Sequence, residues 1–323
     1  MSLAVPVPGR IAASAMSLAL MFVATAVLAE PIRNGFDLGG ALVPAEEILQ
    51  GGPPKDGIPA IDKPEFVAAG KARGLRGKDM VLGIARNGIA KAYPILILNW
   101  HEVVNDRFGA EPIVVTFCPL CGSGVAFEAT AGGRTLQFGV SGLLYNSDVL
   151  LFDRATNSLW SQIRAQAVTG PLKGERLIQV PMLHMTWDDW RRRHPQTLVL
   201  SERTGFGRDY SRDPYDGYDK TEALMFPARF RAEGFHPKER VLGVLVGGKA
   251  KAYPFSELAR AAGPVSDVVG GQRVIVRFLP QGPAAEAQDA SGRTLAATTL
   301  FWFAWAAFHP GTEIFRAQKP APR

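Results

Sequence analysis

The residues best equipped for chemistry are Cys118 and Cys121, the only two cysteines of the 323-residue chain, in the run Thr116-Phe117-Cys118-Pro119-Leu120-Cys121-Gly122. Two intervening residues let both sulfurs meet at one point. A structural disulfide is one use of such a pair, but closing so short a loop removes little unfolded-chain entropy, about 2 kcal/mol. Thiol–disulfide exchange with a partner protein is a second, one thiol attacking and the other resolving. That reading lacks the helix that would lower a thiol pKa, because Gly122-Ser123-Gly124 and an apolar stretch follow. Metal binding is the third and leading reading, since Cys-Pro-Leu-Cys-Gly has the form of a knuckle that aims two thiolates at one ion.

A closed tetrahedral metal site needs four ligands, so two thiolates need company. His101 and His184 are the candidates, and Met182 and Met185 flank the latter. Cys, Met and His together favour copper first and zinc second. Tyr145, Asn146, Asp148, Trp160 and Gln162 place polar groups within apolar stretches. Buried polar groups need partners, so these five are candidate pocket lining or a structural network. Cys118 and Cys121 are catalytic residues only if the pair is redox-active, and whether the chain is an enzyme stays open. A ligand-binding module with a structural disulfide is the remaining alternative.

Other chemistries find no support. No glycine-rich phosphate loop appears, so there is no nucleotide or flavin signature. Gly139-Val140-Ser141-Gly142-Leu143 breaks the G-x-S-x-G pattern of a nucleophile elbow. Asp209, Asp213, Asp216 and Asp219 do not follow calcium-loop spacing. The net charge of +6 carries no long basic run, which argues against nucleic acid as a partner.

The elements that must position the cysteines come in two copies. Val81 to Pro94 returns 160 residues later as Val241 to Pro254, with nine of fourteen positions identical. Each copy sets two apolar runs around Asn87-Gly88 or Gly247-Gly248, which predicts a β-hairpin. Ile113 to Phe117 matches Val274 to Phe278, and Trp187, Trp190, His194 and Pro195 match Trp302, Trp305, His309 and Pro310. Residues in both copies serve the shared scaffold, which makes His194 and His309 structural. The thiols are not shared, their counterpart being Leu279-Pro280-Gln281-Gly282. About 45 residues between Gln137 and Met182 are also unique to the first copy.

The expected fold is mainly β with a few short helices (α+β), an internal duplication giving two barrel-like or sandwich-like halves. Strands are expected near 80–86, 89–93, 112–118, 123–128, 134–139, 144–152, 158–163 and 197–200, then 241–246, 249–254 and 273–279. Arg10 and the apolar run Ile11 to Ala29 predict an export signal at 1–29 and a periplasmic protein. At about nineteen residues the run also suffices for an uncleaved membrane anchor. An extension at 30–77 precedes the first repeat at 78–201. A connector at 202–239, the degenerate second repeat at 240–316 and a tail at 317–323 follow. The connector reads as a solvated loop, with a lid over the site as the alternative. Oligomeric state is not legible.

Four segments then act together: Thr116 to Gly122, Phe138-Gly139-Val140-Ser141-Gly142, Asn146-Ser147-Asp148, and Phe152-Asp153-Arg154 with Leu159-Trp160-Ser161-Gln162. In these the chain resembles an exported bacterial family, domain of unknown function 3179, whose hallmark is Cys-Pro-Leu-Cys. The likeness runs from about Lys78 to Ile314. The resemblance implies that the cysteine region is the site, and implies no particular reaction.

Overall fold

The duplicated hairpin forms with the same register in both copies. Val81 pairs with Pro94 through to Arg86 with Ile89, and Val241 with Pro254 through to Val246 with Lys249. Both turns need two residues of positive φ, at 52° and 74° for Asn87-Gly88 and 56° and 74° for Gly247-Gly248. Proline ends each hairpin by removing a ladder donor, and a short helix follows: α1 at Ile95–His101 in the first copy, with Phe255–Leu258 its counterpart in the second.

That helix decides the architecture. It separates the hairpin from the next strands, so each copy builds two sheets rather than one closed barrel. The computed structural model describes residues 1–4, 31–230 and 234–318, and the expected export segment therefore lies almost wholly outside the described residues. No described helix is long and apolar enough to cross a membrane.

Five sheets form the blades of a five-bladed β-propeller, which corrects the expectation of two barrel-like or sandwich-like halves. The first blade orders Leu183–Thr186, Met80–Arg86, Ile89–Pro94, Leu198–Leu200 and Phe66–Ala68. The second orders Gln179–Val180, Ser123–Glu128, Glu111–Cys118 and Val103–Phe108. The third is Ala297–Phe301, Arg240–Val246, Lys249–Pro254 and Glu313–Ile314; the fourth is Val265–Val269, Gln272–Leu279 and Ala284–Asp289. The fifth blade is the segment unique to the first copy: Phe138–Tyr145, Asp148–Asp153, Leu159–Ser161 and Gln166–Ala167, closed by Ile48–Gln50 from the N-terminal extension.

Sequence pattern does not distinguish an inserted blade from an enlarged barrel, because both are runs of buried strand. A second difference is local: the expected strand at 144–152 contains a turn, with Asn146 and Ser147 at φ 52° and 64°. Their positive φ reverses the chain, and Tyr145 pairs with Asp148 across it.

Shared residues hold shared joints. Trp190 lies over Gly83 and Trp305 over Gly243, where an added Cβ would sit 2.3 and 2.2 Å from the indole carbons. The indole N–H groups donate to Thr197 at 2.9 Å and Thr312 at 2.8 Å. His194 and His309 stack on the same tryptophans, with centroids 4.2 and 4.0 Å apart. Between blades, Lys91 and Tyr93 both bind Asp106, and Lys251 and Tyr253 both bind Asp267.

Candidate metal centre

Cys118 ends the strand Glu111–Cys118 and pairs with Ser123, so Pro119 to Gly122 form the turn between two strands of the second blade. Gly122 has φ 58° and an added Cβ would reach the Phe301 ring at 3.0 Å. The turn is tied to the third blade where Phe301 N–H donates to the Cys121 carbonyl at 2.8 Å. These constraints bury both thiols, Cys118 at 1% and Cys121 at 0% exposure, and both are free.

The third member comes from the fifth blade. Asp148 begins the strand Asp148–Asp153 directly after the Asn146-Ser147 turn, and is fully buried. The two sulfurs and one Asp148 carboxylate oxygen all lie within 4.8 Å of one another. The Cys118 thiol donates to the Ser147 carbonyl at 3.6 Å. Asp148 Oδ2 accepts from Ile163 N–H at 3.1 Å, while Oδ1 is buried without a partner.

Burial is the leading influence on every acid here, because it disfavours the charged form. It pushes the Cys118 thiol up and the Cys121 thiol and Asp148 carboxyl far up. Glu102, in the left-handed region at φ 58° where α1 ends, is pushed to about 8. Its carbonyl accepts from Phe117 N–H at 2.8 Å, and its charge is felt at Cys118 and Asp148. Burial thus favours the protonated, neutral form of each acid in the cluster.

The expected histidine ligands lie elsewhere. His101 is held by the Pro59 carbonyl at 2.8 Å and the Tyr210 hydroxyl at 2.6 Å, which occupies both ring nitrogens. His184 pairs opposite Leu82 in the first blade and meets the Phe117 ring edge-on at 6.1 Å. Neither belongs to the cluster of Cys118, Cys121 and Asp148. Met185 packs with Trp187 and Trp190, and Met182 with another part of the core, so both methionines serve clusters other than that of the cysteines.

The five candidate lining residues separate. Only Asp148 brings a donor atom to the sulfurs, while Trp160 shares their apolar cluster. Gln162 donates to Thr116 Oγ1 at 2.8 Å and accepts from Ser123 Oγ at 2.6 Å, stitching the fifth blade to the second. Trp160 N–H donates to Asp153 at 2.9 Å. Tyr145 lies edge-on to Phe308, and Asn146 Oδ1 accepts from Arg229 N–H at 3.0 Å.

The connector, expected as a solvated loop with a lid as the alternative, supplies aromatic side chains that pack at the cysteines. Tyr218 packs in the same apolar cluster as both cysteines, with Tyr215 beside it. Both phenols are raised chiefly by burial and then by charge at the site, Tyr218 to about 12. The Tyr218 hydroxyl is buried; the Met225 backbone approaches it without completing a hydrogen bond. Asp213 accepts from Asn99 at 2.8 Å, the Arg212 carbonyl accepts from Trp100 at 3.1 Å, and the Phe226 carbonyl accepts from Ser147 Oγ. The connector is thus pinned to the end of α1 and to the Asn146-Ser147 turn. The aromatic and acidic interleaving of 209–219 was the available signal for this.

Chemically, such a cluster is able to coordinate a metal ion or to support a redox-active cysteine pair. No curated protein and no solved structure matches the chain. One family model matches residues 55–291, spanning most of the propeller and every residue of the cluster. The chain belongs to that family, described as protein of unknown function DUF3179.

Proposed function

We propose that this is an exported, periplasmic protein that holds one borderline-soft divalent metal ion, zinc before copper, through Cys118, Cys121 and Asp148. The observation that carries the reading is the convergence at one buried point of two thiol sulfurs and a carboxylate oxygen of Asp148, a side chain whose Oδ1 has no hydrogen-bond partner. Burying three ionisable acids together is costly unless they stay protonated or share a cation. The donor set reverses the order expected from sequence. A carboxylate in place of histidine and thioether suits zinc better than Cu(I). Three protein ligands leave a fourth position for water or a guest, the arrangement of catalytic rather than closed structural zinc sites.

Thiol exchange with a protein partner is the weaker alternative. It needs an accessible thiolate, and burial opposes both requirements.

The test is metal analysis of reduced mature protein after titration with Zn(II) and, separately, Cu(I) under anaerobic conditions. Zinc binds at one equivalent, and both Cys118→Ser and Asp148→Asn weaken it at least tenfold. Met182→Leu and Met185→Leu leave it unchanged. Equal zinc binding by wild type and Cys118→Ser refutes the proposal.

A further inference from the structure

Away from the cysteines, a cavity of about 880 Å³ is bordered by the first blade, α1 and the connector. Its base is apolar: Ile97, Val199 and Leu200 are buried there, and Val67, Leu75 and Leu96 are half-buried. The base bridges two parts of the core, since Val67, Leu75 and Val199 belong to the cluster of Trp190, and Ile97 and Leu200 to that of Tyr93. Tyr210 of the connector closes one side, its hydroxyl held by His101 and Thr204, each at 2.6 Å. The space is therefore formed before any ligand arrives, and its volume falls in the range of small-molecule sites, about 300–1,000 Å³.

The rim of this cavity is basic. Lys71, Arg73, Arg76, Arg203 and Arg208 line it against Glu202 and Asp209, and all five cations are exposed. Arg76 and Arg203 are paired with acids outside the lining, Asp79 and Glu65, each at 3.0 Å. Arg208 lies 5.6 Å from the Trp100 ring centroid. Lys71 and Arg73 have no ion-pair partner among the described residues. The two lining acids do not answer them: Asp209 accepts from the Ser211 N–H and Oγ, and Glu202 forms no ion pair among the described residues. Like charges gathered at one opening repel, and a bound anion relieves that repulsion.

We infer that this cavity binds an amphiphilic carboxylate, its apolar body on the base and its head at the rim, where Lys71 and Arg73 stand two residues apart. The base supplies affinity by removing apolar surface from water, and the rim selects the sign of the ligand's charge. Neither part specifies the ligand alone. An apolar hollow takes neutral molecules equally well, and a basic rim without a base takes inorganic anions. The inference does not rest on metal binding, because no lining residue belongs to the cluster of Cys118, Cys121 and Asp148.

The experiment is calorimetric titration of the purified protein with decanoate below its micelle-forming concentration, at constant ionic strength set by sodium chloride. Decanoate binds saturably at one equivalent. Acetate, which has the head without the body, and decyltrimethylammonium, which has the body with the opposite charge, each bind weaker by about tenfold or more. Combining Lys71→Glu with Arg73→Glu weakens decanoate binding by a similar factor of about ten. Both side chains are exposed, so the fold survives their replacement. Arg134→Glu with Lys249→Glu, an equal change of charge at exposed positions outside the lining, leaves the affinity unchanged. Absence of saturable decanoate binding overturns the inference, as does equal binding of the cationic amphiphile. An unchanged affinity after the Lys71 and Arg73 reversals overturns it too, as does an equal loss after the Arg134 and Lys249 reversals.

Discussion

Asp148 contributes what neither cysteine can: a hard oxygen that turns a two-sulfur turn into a cluster of three potential donors. Its Oδ1 is buried without a hydrogen-bond partner, which is costly for a carboxyl unless another group meets it. Glu102 is the companion case, a non-glycine residue held at positive φ with its carboxyl buried beside the cluster. Such conformations cost of order 1–3 kcal/mol and gather at functional sites. The pH consequence follows from the direction of the shift. A carboxyl whose folded pKa of about 8 exceeds its ordinary value of 4.5 binds a proton in the native state that the unfolded chain has lost. Its stabilisation is complete below the unfolded value and disappears as pH rises toward the folded one. Metal-free protein therefore loses about 1.4 kcal/mol per pH unit per such proton over that window. Urea unfolding between pH 5 and 8 shows this slope, and Glu102→Gln reduces it by about one proton's worth. An identical slope in the variant means that Glu102 is ionised in the native state.

At the scale of elements, the 202–239 connector acts as a cover. It is fixed by a few polar contacts, Tyr210 to His101 and Asp213 to Asn99 on one side and Phe226 to Ser147 on the other. Each hydrogen bond is worth about 1 kcal/mol net, and local opening scales with what is removed. Tyr210→Phe and Asp213→Ala therefore raise the rate of iodoacetamide labelling of the native thiols by about fivefold to tenfold per lost kilocalorie-scale contact. Mass spectrometry of the intact protein reads this directly. Labelling of the metal-free wild type is slower than that of a free cysteine at pH 7, because burial both hides the sulfurs and raises their pKa. Variants that label at the wild-type rate would show that opening occurs by another route.

For the whole molecule, the repeated joints carry the architecture. Gly83 and Gly243 exist so that Trp190 and Trp305 can lie against the backbone of the hairpin. Overpacking of this kind costs typically 1–3 kcal/mol, and here the obstacle is a rigid indole over a sheet. Gly83→Ala and Gly243→Ala each destabilise by about 2–3 kcal/mol or more in urea unfolding. Similar losses in both variants are expected because the two joints are equivalent in packing. The fifth blade has no such twin. It joins the second through Gln162, Thr116 and Ser123, and brings Asp148 to the cysteines.

What the sequence by itself determined follows from local spacing. The Asn87-Gly88 and Gly247-Gly248 turns, the alternating runs around them, and the unrepeated Cys118 and Cys121 are all encoded within a dozen residues. Turn geometry and side-chain alternation act over that range. Comparison of the two copies also separated His194 and His309 from the thiols, since both histidines serve a joint that both copies possess. The tertiary structure alone decided the rest. The choice of five blades over two closed halves depends on which strands leave one sheet to begin another, and Ile48–Gln50 joins strands some ninety residues away. That Asp148, rather than His101 or His184, lies with the two cysteines has the same origin. The cluster forms between blades, where residues distant in sequence are brought within a few ångströms, and residue type does not report which of several candidates the packing delivers.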